Sequence, residues 1–411
     1  MTSVAQIEPD EQRALLKKIK GDVMNVFLTR ELNAETPAEL LDACQTPIER
    51  LFVRNRGGMP ALSNAEIDNW TLTIDGGGVR EARSWTIKEL KEMGSVDVVA
   101  VLECAGNGRA FFPGNRLTAY LDAKARAFEV ILSRSRFKKL SPILRSIRPL
   151  WRKWPWSVGT VMWTDGAVGC VKWSGVPLRR LLPADNLKLA RENEGDHAVY
   201  IGHHSLDTKL GGTGPAISRG LPIAKALAEE TLVAWKMNDE DIPLVHGGPL
   251  RLVAPGFPGA AWQKWIHRIE ICTKEHDGAL MDEYRIDGKV IEEMPVNSII
   301  TFPANGFEAR AGRPLPVKGY AWSGQSRIEK VRVSADGGAS WLEANLAPQP
   351  DSRFAWRRFD IEFADLSPGP VEIVVCAKDE NVEQPQTSRS GRGNPIGYCN
   401  NVVRRVSGRA S

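Results

Sequence analysis

The chain reads as an α+β domain followed by a β-sandwich, and three observations carry that reading. Between Pro47 and Thr273 short strands alternate with short helices and turns, without the regular βαβ repeat of a doubly wound sheet. Past Val296 the helical patterns stop, and period-two segments follow one another with glycine turns between them. With 411 residues, 42% of them hydrophobic and 25% charged, the chain has the material for two or three domains with sizeable cores.

Residues 10–43 read as helical. Ala14-Leu15-Leu16 and Ile19 lie near helical spacing, and Thr36-Pro37-Ala38-Glu39 looks like a capped helix start with proline at its first position. This predicts a helical lead-in over 1–44 that packs on the first domain. Trp70-Thr71-Leu72-Thr73-Ile74 alternates as a strand before the turn Asp75-Gly76-Gly77-Gly78. Thr86 to Lys91 opens a short helix, and Pro222 to Glu229 another.

The run Val98-Val99-Ala100-Val101 reads as a buried strand, and it leads directly into Leu102-Glu103-Cys104-Ala105-Gly106-Asn107-Gly108-Arg109. A strand thus delivers a thiol to a tight turn, with a fixed positive charge five positions along. Thiolate is a soft ligand suited to a redox metal, and a neighbouring cation lowers the thiol pKa. Arginine stays charged at any working pH and grips oxyanions with its planar fork. The combination points to a metal centre that handles an anion. On spacing alone, a small buried structural thiol is the other reading.

From Arg134 to Lys153 the chain is basic, with Trp and Pro interleaved. This segment is either a solvated surface insertion or a lid that guides anions. Further on, Ile328 to Ser334 alternates with period two and meets the turn Asp336-Gly337-Gly338. Arg358 to Phe363 and Val371 to Ala377 are further strands, and together they predict a sandwich of immunoglobulin type.

Composition narrows the function. A net charge of +4, with no lysine-rich arm or zinc-finger spacing, fits nucleic-acid binding poorly. No apolar run approaches the roughly 20 residues that span a bilayer. Met1 to Asp10 is polar and lacks the features of an export signal, so the expected compartment is cytoplasmic as written, or periplasmic if a signal has been removed. Cysteines 44, 104, 170, 272, 376 and 399 form no Cys-x-x-Cys pair, which argues against a structural zinc site, an iron–sulfur run and c-type haem attachment.

The stretch from Cys104 to Arg109 resembles the signature of the sulfite oxidase family of molybdenum enzymes, Cys-Ala-Gly-Asn-x-Arg, whose cysteine ligates molybdenum. Phe52-Val53-Arg54-Asn55-Arg56 is similar to the family's Phe-Val-Arg-Asn-His. Trp163-Thr164-Asp165-Gly166-Ala167 and Trp173-Ser174-Gly175-Val176-Pro177-Leu178 look like its Trp-x-x-Gly-Ala and Trp-x-Gly-x-x-Leu. His246-Gly247-Gly248-Pro249-Leu250-Arg251, Val253-Ala254-Pro255-Gly256 and Lys264-Trp265 follow in the family's order.

The resemblance implies a molybdopterin-binding catalytic domain over 45–280. Residues 281–411 would be a linker and an immunoglobulin-like sandwich that makes a homodimer contact. It implies molybdenum and molybdopterin as cofactors, with Cys104 the sole protein ligand to the metal. Arg54 and Arg109 would grip a small oxyanion, sulfite, and Trp163 either stands near that pocket or packs the core. Phe52, Val53, Arg54, Asn55, Arg56, Asp207, His246, Arg251, Trp262, Gln263 and Lys264 would hold the pterin and its phosphate. The haem module of the animal enzymes has no counterpart, so electrons are expected to pass to a separate acceptor such as a c-type cytochrome. The pair His203-His204 invites a metal reading, but adjacent residues on a strand point apart, which favours a structural role.

Three departures bear on the substrate. Arg56 stands where the family often has His. Ile217, in Ile217-Ser218-Arg219-Gly220-Leu221-Pro222, takes the place of the family's active-site tyrosine, and Tyr284 lies in a different motif. Ile396 falls near a third pocket arginine of the animal enzymes, and Arg219 is a candidate to restore charge. Losing a phenol donor and a cation weakens the case for sulfite more than the case for molybdenum. The leading expectation is oxidation of sulfite to sulfate. The alternatives are a sulfane dehydrogenase subunit acting on partner-bound sulfur, or a non-catalytic binding protein that kept the fold.

Overall fold

The computed structural model describes residues 5–27, 31–112, 161–188, 197–206, 217–364, 366–386, 394 and 397–411. Asp207, Ile396 and the basic segment from Arg134 to Lys153 lie outside these residues.

The expected helical lead-in is only partly helical. Pro9–Lys20 forms a helix with Asp10 and Glu11 in its first turn and Lys17, Lys18 and Lys20 in its last, charges that suit the helix dipole. Gly21, at φ 63°, ends it. Beyond, Asn25–Val26 pairs antiparallel with Asn33–Glu35, which pairs in turn with Val53–Arg54. The proposed helix start at Thr36 yields one 3-10 turn, Ala38–Leu40. The Thr36 hydroxyl donates to the Arg50 carbonyl instead of capping a helix. Asn25–Val26 and Asn33–Glu35 therefore complete a sheet with Val53–Arg54.

Two sheets frame the rest of the first half. In one, Glu240–Asp241, Leu232–Met237, Val168–Pro177 and Val96–Glu103 pair antiparallel in that order, and Arg251–Val253 joins Leu232–Met237. In the other the order is Arg83–Thr86, Thr71–Asp75, Ile266–Cys272, Tyr200–Ser205, Ser218–Pro222, with one parallel pairing between Thr71–Asp75 and Ile266–Cys272. Thr86 caps the helix Ile87–Glu92 through a capping box with Glu89. The helix expected from Pro222 is a single turn, Ile223–Ala226. Trp163, Trp173, Trp262 and Trp265 are fully buried in the core of this half.

The second half is a β-sandwich. One sheet orders Asn297–Phe302, Leu315–Trp322, Arg357–Phe363 and Asn345–Leu346. The other orders Phe307–Ala309, Arg404–Ala410, Gly369–Asp379, Ile328–Ser334 and Leu342–Glu343. Val317 and Phe359 from the first meet Val331, Val333, Ile373 and Val375 from the second in one core. A further apolar cluster joins the two halves, with Val101, Val168 and Cys170 against Ile299, Tyr320, Trp322 and Trp356. The sandwich thereby braces the strand that leads to Cys104. Among the described residues no helix is long and apolar enough to cross a membrane.

Candidate active site

The strand Val96–Glu103 ends in a turn whose backbone is tied on several sides. Cys104 N donates to the Ala167 carbonyl at 3.0 Å, Gly108 N to Thr164 at 2.6 Å, and Cys399 N to Ala105 at 2.7 Å. Asn107 Nδ2 donates to Glu103 Oε1 at 3.0 Å, while Asn107 Oδ1 accepts from Ala167 N at 3.1 Å. Glu103 is wholly buried and also accepts from Asn297 Nδ2 at 2.9 Å and Trp322 Nε1 at 2.8 Å. Burial pushes its carboxyl up; these donors and Arg404 oppose that shift. Two sandwich residues thus hold the residue next to the thiol.

Two glycines are required in this turn. A Cβ on Gly106 would lie 2.6 to 2.8 Å from the Arg109 guanidinium. Gly108 has φ 74°, and a Cβ there would meet Arg404 Nη2 at 2.7 Å. Arg109 itself is buried, donates to the Val161 carbonyl at 2.8 Å and lies 5.0 Å from the Tyr398 ring centre. Burial lowers its pKa, whereas the Cys104 thiol and the Tyr398 phenol favour its charge.

Cys104 opens onto a cleft of about 730 Å³, counted with the solvent at its mouth. Nine further expected residues line it: Phe52, Arg54, Asn55, Arg56, His246, Arg251, Trp262, Gln263 and Lys264. Arg54 Nη1 donates to Asn33 Oδ1 at 3.0 Å and to the Asn55 carbonyl at 2.7 Å. Lys264 Nζ donates to Asn55 Oδ1 at 2.5 Å and to the Val245 carbonyl at 2.8 Å. Arg56 pairs with Glu283 at 2.5 Å. Arg251 Nη1 donates to the His246 carbonyl at 2.7 Å, and burial pulls the Arg251 guanidinium down to about 9.

Two buried histidines serve this wall, His246 as part of it and His203 behind it. His203 Nδ1 lies 3.1 Å from Gln263 Oε1 and so orients a lining residue. His204, its neighbour, turns the other way to Glu270, as alternation on a strand requires. His246 Nε2 lies 2.7 Å from Lys20 Nζ, which also donates to the Ile48 and Leu51 carbonyls. Burial pulls Lys20 down to about 7 and holds both His203 and His246 well below the ordinary histidine range. The contact between Lys20 and His246 was not foreseen, since helix periodicity gave Lys20 no special place.

Three expected residues do not line this cleft. Val53 is fully buried between neighbours that do, because side chains alternate along an extended segment. Trp163 packs edge-on against Phe27 at 4.9 Å and Phe52 at 6.1 Å, and its Nε1 has no partner. It is core packing that backs a lining residue. Arg109 lies against Gly106 and Tyr398, just behind the lining and near Cys104.

Tyr284, set aside on its motif, does line the cleft beside Ile217 and Leu280. It stacks on Tyr398 at 4.9 Å, and Arg219 lies 5.0 Å from its ring centre. Arg219 is buried, and only its Nη2 has a partner, the Ile291 carbonyl at 2.5 Å. Nothing local in the sequence marks these residues, which the fold brings together from distant segments.

The lining fits an anionic organic cofactor that carries a thiolate-bound metal. Cys104 is the one cysteine on it among the described residues, and four cationic side chains share the same surface. Asn55 Nδ2 and Arg251 Nε are buried donors without partners. Leaving such a donor unsatisfied costs about 1–3 kcal/mol, and an acceptor-rich ligand would remove that cost. This chemistry defines a cofactor-binding protein whose cofactor is anionic and carries a metal.

Residues 57–130 and 147–280 match the family model for the oxidoreductase molybdopterin binding domain. Residues 288–408 match that for the Mo-co oxidoreductase dimerisation domain. Sulfite oxidase of Gallus gallus is 30% identical over 410 residues, covering 92% of this chain and 78% of that protein. Mitochondrial sulfite oxidase of Rattus norvegicus is 29% identical over 392 residues, and the match spans 62% of its length. The fold is similar to that of the sulfane dehydrogenase SoxCD of Paracoccus pantotrophus, with a TM-score of 0.70 over 96% of this chain and 89% of that one, at 24% identity. The chain belongs to the sulfite oxidase family of molybdenum-cofactor oxidoreductases.

Proposed function

We propose that the protein oxidises sulfite to sulfate and passes the electrons to a separate acceptor such as a c-type cytochrome. The observation that carries this reading is the Cys104 thiol in a cleft shared with Arg54, Arg56, Arg251 and Lys264. Cys104 would ligate the metal. Asn55, Arg251, Lys264 and the backbone around them would hold the pterin and its phosphate, using charge-assisted hydrogen bonds. When bound, the cofactor supplies two-electron redox chemistry and oxygen-atom transfer. Sulfite gains one oxygen, ultimately from water, and releases two electrons and two protons.

The chain's own contribution is attraction and orientation. Fixed cations in a partly enclosed cleft draw an oxyanion in more strongly than they would in bulk water. Residues 288–408 would make the homodimer contact through a sandwich of immunoglobulin type, and sedimentation of the purified protein tests that directly. Turnover of sulfite by molybdenum-loaded protein, with ferricyanide or cytochrome c as acceptor, tests the activity; no turnover would overturn it.

One observation favours a second reading. Ile217, which takes the place of the family's active-site tyrosine, and Leu280 make part of the lining apolar, with Tyr284 beside them. An apolar wall suits a sulfane sulfur carried on a partner protein better than a free dianion. Faster turnover of a thiosulfate-derived, partner-bound sulfur than of sulfite would select this reading.

A further inference from the structure

Apart from the cleft, the structure gathers a second set of metal-binding side chains. Strand pairing between Tyr200–Ser205 and Ile266–Cys272 sets His204 opposite Arg268, close to Glu270. The ligand atoms of Glu270, Cys272 and His276 all lie within 4.8 Å of one another. Cys272 Sγ is 4.0 Å from His276 Nδ1, and His204 Nε2 is 3.3 Å from Glu270 Oε2. None of these four residues lines the cleft.

The His276 ring is seated with care. A Cβ on Gly202, Gly220 or Gly278 would come within 2.4, 2.8 or 2.5 Å of its side chain, so three backbone segments leave room for one imidazole. Its Nε2 lies 3.1 Å from Ser218 Oγ, which leaves Nδ1 facing Cys272. A metal-bound histidine commonly commits one nitrogen to the metal and the other to such an outer partner.

We propose that Glu270, Cys272 and His276 form a site for a divalent cation of the zinc class, with solvent completing its shell. Thiolate, imidazole and carboxylate together suit zinc or a cation of similar softness. Zinc bonds of about 2.0 Å to nitrogen and 2.3 Å to sulfur set tetrahedral donors roughly 3.3–3.6 Å apart. Cys272 Sγ and His276 Nδ1, 4.0 Å apart, need to close by only a few tenths of an ångström, and the other pairs by up to about 1.5 Å. The cysteine spacing argued against structural zinc because it looked for cysteine pairs; here Glu270, on the same strand as Cys272, and His276, just beyond that strand, supply the other donors.

The surroundings decide how the site would behave. Arg268 Nη1 lies 3.6 Å from Glu270 Oε2 and 3.4 Å from His204 Nε2, so it is the cation a metal would face. Its Nε is held by Asp75 at 3.0 and 2.9 Å. Asp277 adds negative charge near Cys272. The segment after His276 forms the helix Ala279–Glu283, and its Leu280 and the following Tyr284 line the cleft. A bound cation would pin this wall to the sheet.

The test uses full-length protein isolated with its cofactor, dialysed against chelator and titrated with Zn²⁺ and with Co²⁺. One equivalent should bind, and Co²⁺ should show thiolate charge-transfer absorption. Cys272→Ser should abolish that absorption, and Ser218→Ala should weaken binding roughly 10- to 100-fold, as loss of an outer partner does. Cys44→Ser should change neither. If Cys272→Ser does not fold, Glu270→Gln carries the same test, with weaker binding expected. Wild-type protein that binds no equivalent, or a Cys272→Ser or Glu270→Gln variant that binds as tightly as wild type, overturns the proposal.

Discussion

Around Cys104 the turn is tied to partners from both halves of the molecule, whereas another part of the same cleft keeps Asn55 Nδ2 and Arg251 Nε buried with none. The two regions share a surface and differ in how complete they are without a ligand. Glu103 and Asn107 spend their hydrogen bonds inside the protein, so the thiol has a fixed address before any metal arrives. Arg251 and Lys264 bring charge, and Arg251 does so at the expense of desolvation. A ligating atom must be placed to within a fraction of an ångström, while an anion can be gathered by charge and then ordered.

Substitutions can break this contrast or sharpen it. The largest effect is expected from Cys104→Ser, which should abolish turnover while circular dichroism and melting stay near wild type; retained activity would refute thiolate ligation. Arg251→Gln removes a cation from the incomplete wall. It should weaken cofactor retention roughly 10- to 100-fold, the equivalent of about 1.5–3 kcal/mol for a hydrogen bond to a charged group. Molybdenum content after gel filtration reads that loss, and the cofactor-free protein should melt no lower than wild type.

Asn107→Ala should behave in the opposite way. It strips a partner from the buried Glu103 and from Ala167 N, so unfolding should become easier by about 1–3 kcal/mol whether or not cofactor is present. Denaturant titrations of both forms measure it. The contrast fails if Arg251→Gln proves the more destabilising of the two in cofactor-free protein.

Lys20 gives a pH dependence. Burial lowers its pKa from 10.5 to about 7, so between these values the unfolded chain binds the proton more than the folded one does. Its contribution to stability therefore rises with pH from about 7 upward. Lys20→Met should flatten that part of the stability profile, and an unchanged slope between pH 7 and 9 would remove Lys20 as its source. The smallest effect on turnover is expected from Trp163→Phe. Trp163 makes no hydrogen bond through Nε1, so the change should cost only the packing of the lost ring, about 1–3 kcal/mol, and leave kcat within twofold.

Much of the cleft was legible because its residues sit in short contiguous motifs. Phe52 to Arg56, His246 to Arg251 and Trp262 to Lys264 each place lining residues by local geometry. The misreadings have physical causes. Thr36 looked like a helix cap, but its hydroxyl found the Arg50 carbonyl. Trp163 was as consistent with a pocket as with a core, since a motif does not say which way a ring faces. Tyr284 was set aside because its own motif differs, yet the helix before it delivers it to the cleft.

The sequence by itself determined the strand that carries Cys104, the glycine turn that lets Arg109 fold back, the period-two strands of the sandwich and the family. These depend on residues within a few positions of one another, and the family on several such short motifs in order. Tertiary structure alone decided that Glu103 is held by Asn297 and Trp322, that Lys20 reaches His246, and that Tyr284 joins the cleft. It also decided that His204 meets Glu270 and that Ser218 holds the His276 ring. Those contacts depend on which strands pair and which faces pack, and burial then sets the charge state of each group they bring together.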